Sequence, residues 1–471
     1  MSSASPATFA PDWLAVPADV NALATQVWPR RTTRDSSGEI TIGGATATAL
    51  AAQYGTPVLV LDEQEVRDRA AQTLAAFQTA AANHGAEVTV YYAGKAFLST
   101  HVARWMIEAG LNVDVCSGGE LAVALAADVD PSRLGFHGNN KSDAEIARAV
   151  SIGIGTIILD SVEEIDRVAR AATEAGTTQR VLLRVNSGVH AETHDFLATA
   201  HEDQKFGITL QDAPAAVAAI RAHNALEFRG LHCHIGSQIF GASGFRESAR
   251  RVVAVHAALL AEGDVPQLNL GGGFGIAYTA VDDPAPIDDL ARDIVDAVAE
   301  ECALRDIAIP HLSFEPGRSI VGTAGVTLYR VGTTKEVTVE TTEGERTRRY
   351  VSVDGGMSDN ARTALYGAQY SARLANRTSG STPQLSRVVG MHCESGDIVV
   401  DHEYLPSDTT RGDILAVPAT GAYCASLASN YNHVPRPPVI AVRDGESRVL
   451  VRGETIDDLL ARDAGADKGE A

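Results

Sequence analysis

The sequence has little cysteine, and what it has is scattered. Cys116, Cys233, Cys302, Cys393 and Cys424 are the five cysteines among 471 residues. Their number is odd and none forms a C-x-x-C pair. That argues against a disulfide framework or a structural zinc site, and for a reducing, cytoplasmic setting. Positive charge is also short: 39 Lys and Arg stand against 60 Asp and Glu, a formal net charge of −21. Such a surface repels nucleic acid and anionic membranes, so neither is expected as a partner. The opening Met1-Ser2-Ser3-Ala4-Ser5-Pro6 lacks the basic stretch and apolar core of a signal peptide, and no uncharged apolar run has the length of a membrane span.

What the chain has is apolar content, 45% of its residues, enough for a large core and two domains or more. From Glu87 to Glu315, short apolar runs alternate with helical patterns. The runs are Val88–Tyr92, Val113–Cys116, Leu134–His137, Thr156–Leu159, Val181–Val185, Gly230–Ile235, Leu268–Leu270 and Leu312–Glu315. Ser142–Ser151, Val162–Ala175 and Glu247–Leu260 between them have helical periodicity. Strands of a parallel sheet are buried on both faces and read as apolar runs. Eight strand–helix units predict an α/β fold with a (β/α)8, TIM-like barrel, a doubly wound sheet being the alternative.

After Ile320 the pattern becomes that of a second, mostly β domain. Its strands are read at Val326–Val331, Glu336–Glu340, Tyr350–Val353, Asp397–Asp401, Ile414–Val417, Val439–Val442 and Arg448–Val451, with a turn at Thr342-Glu343-Gly344. Ile40-Thr41-Ile42 and Pro57–Leu61 precede the barrel and are candidates for the same domain. The expected division is an N-terminal segment 1–62 packing with the β domain, a barrel 63–320, the β domain 321–462 and a disordered tail 463–471. Residues up to about Ala10 also read as disordered, and Thr378–Pro383 as a mobile loop.

Chemistry in a barrel belongs at the C-terminal ends of its strands. Lys95 ends the first strand in Tyr91-Tyr92-Ala93-Gly94-Lys95-Ala96-Phe97. In apolar surroundings its amine would be a nucleophile suited to a Schiff base; otherwise it is a surface lysine at a strand end. The sixth strand ends in His232-Cys233-His234-Ile235-Gly236-Ser237-Gln238. His232 and His234 share one face, as core histidines, a metal pair or a ring-stacking imidazole. The seventh ends in Gly271-Gly272-Gly273, a tight turn or a backbone cradle for an anion. The G-x-G-x-x-G dinucleotide pattern fails there, since its third glycine would fall at Ile276. The eighth ends in Glu315-Pro316-Gly317-Arg318-Ser319. Glu315 in an apolar run calls for a cationic partner. No other His/Asp cluster at the strand ends completes a metal set, so no metal is expected. In the β domain, Met357–Tyr366, His392-Cys393-Glu394-Ser395 and Gly421-Ala422-Tyr423-Cys424 read alone as loops, with Arg362 a surface salt bridge and Cys393 a small buried hydrophobe.

Taken together, these motifs resemble the fold-type III pyridoxal-phosphate-dependent decarboxylases. The resemblance runs from about Pro57 to Arg436 and includes Tyr92–Ala96, Ser117-Gly118-Gly119-Glu120-Leu121, Lys205-Phe206-Gly207, His232–Gln238, Gly271–Gly273, Glu315–Arg318 and Cys393-Glu394-Ser395. Gly188–His194 and the long N-terminal extension resemble actinobacterial members; Phe97 departs from the asparagine of many relatives. The resemblance implies pyridoxal 5'-phosphate as cofactor, with Lys95 as its Schiff-base lysine. It implies His234 as a ring-stacking residue and Glu315 as the partner of the pyridine nitrogen. It places Gly273, Gly317 and Tyr423 at the phosphate with Ser237 as a helper, and Gly271, Gly272, Pro316 and Arg318 as further cofactor-binding residues; Tyr423 would also touch the substrate. Arg318, Arg362 and Tyr366 would grip a distal substrate carboxylate, Glu394 a distal ammonium, and Cys393 would be a proton donor. The implied reaction is decarboxylation of meso-2,6-diaminopimelate to L-lysine, the last step of lysine biosynthesis. The implied assembly is a homodimer with the active site shared across its interface.

Overall fold

The structure, a computed structural model, describes residues 9–189, 204–341 and 344–466. Residues 1–8 of the N-terminal tail, His190–His194 of the segment from Gly188, Thr342 and Glu343 of the expected turn, and 467–471 of the C-terminal tail lie outside the described residues. The chain divides into two compact units: residues 67–275 with 284–320, and residues 1–66 with 276–283 and 321–471.

The first unit is the barrel. Its strands are Val88–Ala93, Asn112–Val115, Leu134–Phe136, Thr156–Leu159, Gln179–Asn186, Leu226–Cys233, Gln267–Asn269 and His311–Phe314. Each pairs in parallel with the next, and the eighth closes on the first through Leu312–Val88, Ser313–Thr89 and Phe314–Val90. The expected runs coincide with these eight strands to within a few residues. Their outward-facing apolar side chains form the layer under the surrounding helices: Val113, Leu134, Phe136, Ile157, Leu183, Leu231, Leu268 and Phe314 are all fully buried. The intervening helices carry local signals of their own. Asp143–Ser151 begins at a reciprocal capping box between Ser142 and Glu145, and Val162–Glu174 and Ser243–Leu260 cover the other two helical patterns. Phe77 of the helix Glu63–Ala82 stacks on Phe314, ring centroids 4.0 Å apart. No helix among the described residues is long and apolar enough to cross a membrane.

The second unit is built on a mostly antiparallel sheet. Its order is Ile398–Pro406, Pro383–Val389, Gly344–Val353, Gly325–Thr341, Val58–Asp62, Val439–Arg443 and Glu446–Val451, with Ile414–Pro418 also paired to Gly325–Thr341. The Pro57–Leu61 run thus joins this sheet, between Gly325–Leu328 and Val439–Val442. Ile40–Ile42 instead forms a separate three-stranded sheet with Thr33–Arg34 and Ala45–Thr46. The two strands expected at Val326–Val331 and Glu336–Glu340 are one strand, whose register shifts between Val331 and Thr334. The Thr378–Pro383 loop is tied down: Ser379 Oγ and Ser381 Oγ both donate to Asp408 Oδ1, at 2.8 and 3.0 Å.

Candidate active site

The first barrel strand ends where backbone crowding demands glycine. A Cβ on Gly94 would lie 2.7 Å from the Asp114 carbonyl oxygen, so only glycine lets the turn Gly94–Ala96 hug the next strand. Ala93, Gly94, Ala96 and Phe97 are buried, while Lys95 between them is exposed. The expectation of a lysine held in apolar surroundings is therefore corrected. The turn buries its small residues against the barrel and leaves the long side chain to emerge at the mouth. The Ala93 N–H donates to the Pro316 carbonyl (3.0 Å), and a Cβ on Gly317 would lie 2.9 Å from the Ala93 oxygen. The Lys95 turn and the Glu315–Arg318 segment are thus packed backbone to backbone.

Glu315 follows the eighth strand and is buried. Its Oε1 accepts from Asn269 Nδ2 at 2.7 Å, and His232 Nε2 lies 3.0 Å from the same oxygen. His137 Nε2 lies 3.4 Å from it and 3.2 Å from Asp114 Oδ1. Among the described residues no hydrogen bond reaches Oε2. Burial by itself would push Glu315 up; His232 and then His137 outweigh it and hold this carboxyl well below its usual range. Asp114 goes the other way, pushed well up by burial and by the charge of Glu315. The expectation that no further residue completes a chelating set is corrected here. Closure of the barrel gathers ligand atoms of His137, His232 and Glu315 to within 4.8 Å of one another. They come from three different strand ends, which no local spacing reveals.

The glycine loop is held from both sides. Gly271 N–H donates to Asn269 Oδ1 (2.8 Å) and Gly272 N–H to His234 Nδ1 (3.3 Å). His234 therefore carries its proton on Nε2; burial, then Lys95 and Arg184, push it well below the usual imidazole range. A Cβ would lie 2.5 Å from Cys233 O at Gly271, 2.0 Å from Glu315 O at Gly272 and 2.4 Å from Gly236 O at Gly273. Side chains at these positions are excluded by backbone. The N–H groups of Gly273 and Gly317 meet no acceptor among the described residues, an arrangement suited to an anion. Arg318 Nη2 donates to Ser237 Oγ at 2.8 Å, which joins two of the expected site residues.

The second unit holds the other expected residues. Arg362 opens the short helix Arg362–Tyr366, which ends at Gly367 in the left-handed conformation. Its side chain is buried and lies over three aromatic rings, 4.8 Å from the centroid of Tyr278, 5.7 Å from Tyr370 and 6.0 Å from Tyr423. Nη1 donates to the Tyr370 hydroxyl at 2.6 Å. No carboxylate pairs with it among the described residues. The alternative of a surface salt bridge thus fails on both counts. Burial pushes the Tyr370 phenol well up, so it stays neutral and does not neutralise the guanidinium. The hydroxyl that meets Arg362 is that of Tyr370; Tyr366, expected to grip the substrate carboxylate beside Arg362, is exposed. Cys393 and Glu394 are also exposed, which removes the reading of Cys393 as a buried hydrophobe. The Cys393 N–H donates to Asn432 Oδ1 at 3.2 Å. Tyr423 sits at a φ of 67°, a backbone position uncommon outside glycine.

Asp114, His137, Asn269, Tyr278 and Tyr370 were not singled out from the sequence. For the first three a signal existed: a polar residue within or closing an otherwise apolar run.

Known proteins resemble the chain over most of its length. The model of the pyridoxal-binding domain of pyridoxal-dependent decarboxylases matches residues 67–322. The diaminopimelate decarboxylase of Mycobacterium tuberculosis is 50% identical over 448 residues, covering 93% of this chain and 98% of that protein. The crystal structure of the M. jannaschii diaminopimelate decarboxylase with L-lysine aligns with a TM-score of 0.85 at 31% identity, over 92% of this chain and 98% of that one. The Helicobacter pylori enzyme complexed with L-lysine aligns at 0.77 and 28% identity, over 88% and 98%. The chain belongs to the diaminopimelate decarboxylase family of pyridoxal-dependent decarboxylases.

Proposed function

We propose that this chain converts meso-2,6-diaminopimelate to L-lysine and CO2 with pyridoxal 5'-phosphate as cofactor. The observation that carries the substrate assignment is Arg362: a buried guanidinium, packed among tyrosines and lacking a carboxylate partner among the described residues. Such a group is costly unless an anion completes it, and a substrate carboxylate is the matching fork. Ornithine and arginine have no second carboxylate to offer, which separates this reading from the polyamine-forming decarboxylases.

The barrel residues fit the cofactor. Gly273 and Gly317 offer N–H groups to its phosphate with no side chain in the way, and Ser237, Arg318 and Tyr423 are assigned to the same binding role. Lys95 is the amine for its aldehyde. His234 presents a neutral imidazole to the ring, and Glu315 has one carboxylate oxygen uncommitted for the ring nitrogen. The chemistry such a cofactor supplies when bound is an electron sink for the pair left behind as CO2 departs. Around it, Glu315 holds a proton at the ring nitrogen, Arg318 and Arg362 orient the carboxylate that is kept, and Glu394 receives the distal ammonium. Cys393 returns a proton to the carbon that lost CO2. Both Cys393 and Glu394 are exposed, in keeping with action in the site of a second copy of the chain within a cytoplasmic homodimer. The test is to supply the cofactor-loaded protein with meso-diaminopimelate and measure CO2 and L-lysine. Equal release of both is the expected result, and absence of lysine would refute the reading.

A further inference from the structure

The roles assigned above leave two buried imidazoles without a task. His232 and His137 meet edge to face, ring centroids 5.1 Å apart, and both direct Nε2 at Glu315 Oε1. Neither contact has the alignment of a hydrogen bond. His137 Nε2 and both ring nitrogens of His232 are buried and unbonded among the described residues, as is Asp114 Oδ2. Buried polar atoms are nearly always paired, so four orphans around one carboxylate call for an explanation. Burial pushes both imidazoles down to about 4, against the pull of Glu315, so neither is a cation at neutral pH. What each can offer is a neutral N–H dipole. Together with the Asn269 amide, which already donates, they converge on Oε1 and leave Oε2 alone.

Asp114 makes the arrangement matter. Its Oδ1 lies 3.2 Å from the same His137 Nε2 that faces Glu315, and two buried carboxyls this close do not both ionise readily. One of the pair keeps a proton. With imidazole N–H groups facing Glu315, the proton belongs on Asp114; without them it has a path to Glu315, the wrong member. Other charged and titratable groups act on this cluster from every side: Lys95 and Tyr91 from the first strand and its turn, Glu120 beyond the second, Arg184 on the fifth and His234 on the sixth.

We propose that His137 and His232 are positioning residues for Glu315: they hold its carboxylate charged, commit Oε1 to the protein and leave Oε2 for a protonated ring nitrogen. This rests on the reading of Glu315 as the cofactor's ring-nitrogen partner.

The test compares His137→Leu and His232→Leu, which remove the N–H groups at similar bulk, with His137→Gln and His232→Gln, which restore a donor. Glu315→Gln is the control. Three quantities are read: the Kd of the apoenzyme for pyridoxal 5'-phosphate, the pH dependence of the bound cofactor's visible absorbance, and the pH dependence of kcat. In the Leu variants cofactor affinity and kcat should fall about ten- to a hundredfold, the scale for residues that orient a binding side chain. The acid midpoint of the absorbance and of kcat should move up by about 1–2 pH units, the scale on which close polar neighbours shift a buried carboxyl, while KM for the substrate stays within about threefold. The Gln variants should return most of the way. Should a Leu variant fail to fold, the Ala variant at that position carries the same comparison. Folded Leu variants with wild-type Kd and wild-type pH midpoints would overturn the proposal, as would Gln variants no better than Leu. If Glu315→Gln itself keeps wild-type kcat, the underlying reading of Glu315 fails. If it loses turnover while the Leu variants keep theirs, only the positioning role fails.

Discussion

Arg362 Nη1 donates to the hydroxyl of Tyr370 at 2.6 Å, and the guanidinium lies over that ring and over the ring of Tyr278. The pair fixes the orientation of a buried cation without neutralising it. Arg362→Ala should lower kcat/KM for diaminopimelate by about 2–5 kcal/mol, the scale of breaking a buried charge pair. Tyr370→Phe keeps the ring and loses the hydroxyl, so a smaller loss of about 1–2 kcal/mol is expected, mostly in KM. Steady-state kinetics on both variants check this. Equal losses would mean that the hydroxyl, rather than the guanidinium, carries recognition.

Gly272→Ala should damage the cradle without touching any side chain that does chemistry. The new Cβ would lie 2.0 Å from the Glu315 carbonyl oxygen, backbone that does not yield cheaply. Overpacking of this kind destabilises by about 1–3 kcal/mol. Thermal melts of the apo form should show the loss, and cofactor titration a weaker Kd. An alanine variant equal to wild type in both would mean that the loop relaxes freely.

Asp359 predicts a pH dependence of stability. Burial raises this carboxyl to about 7, even though the Tyr329 hydroxyl and the Gly356 N–H both donate to it. Its folded value lies above its unfolded one, so between about pH 4 and 7 the native state binds more protons. Stability from this group is therefore present at low pH and lost as pH rises through 7, by up to about 4 kcal/mol. Asp359→Asn should flatten that part of the curve. Denaturant midpoints measured across this window decide it; parallel curves for the two proteins would contradict the assignment.

The shared-site assembly has its own test. Mixed dimers of Lys95→Ala and Cys393→Ala subunits, each inactive alone, should regain about a quarter of wild-type activity after random mixing and about half if every dimer is a hybrid. That is the share expected if one site in each hybrid is intact. Hybrids shown to form yet fully inactive would place Cys393 in the site of its own chain.

The barrel was legible because its strands are buried on both faces and therefore read as apolar runs; Val88–Tyr92 and Thr156–Leu159 are plain examples. Pro383–Val389 was not, since Pro, Gln, Ser and Arg interrupt it, and its strand character comes from pairing with Gly344–Val353 and Ile398–Pro406. The strand Gly325–Thr341 read as two because its second half is mostly exposed and its register shifts at Gly332-Thr333. Site candidates carried by contiguous motifs were legible in the sequence: Lys95, His234, Gly271–Gly273 and Glu315–Arg318. His137, Asp114 and Asn269 were missed because each lies on or just past a different strand and belongs to no motif of its own, and only barrel closure brings them to Glu315. Tyr278 and Tyr370 lie in irregular segments, where nothing local announces a partner for Arg362.

The most direct test of the central claim is kcat/KM for meso-diaminopimelate beside L-ornithine and L-arginine on the same cofactor-loaded preparation. A site whose buried guanidinium requires a distal carboxylate should favour diaminopimelate by up to about 10⁴-fold, the discrimination reached when polar groups would otherwise be left unpaired. Equal or faster turnover of ornithine or arginine would contradict the account.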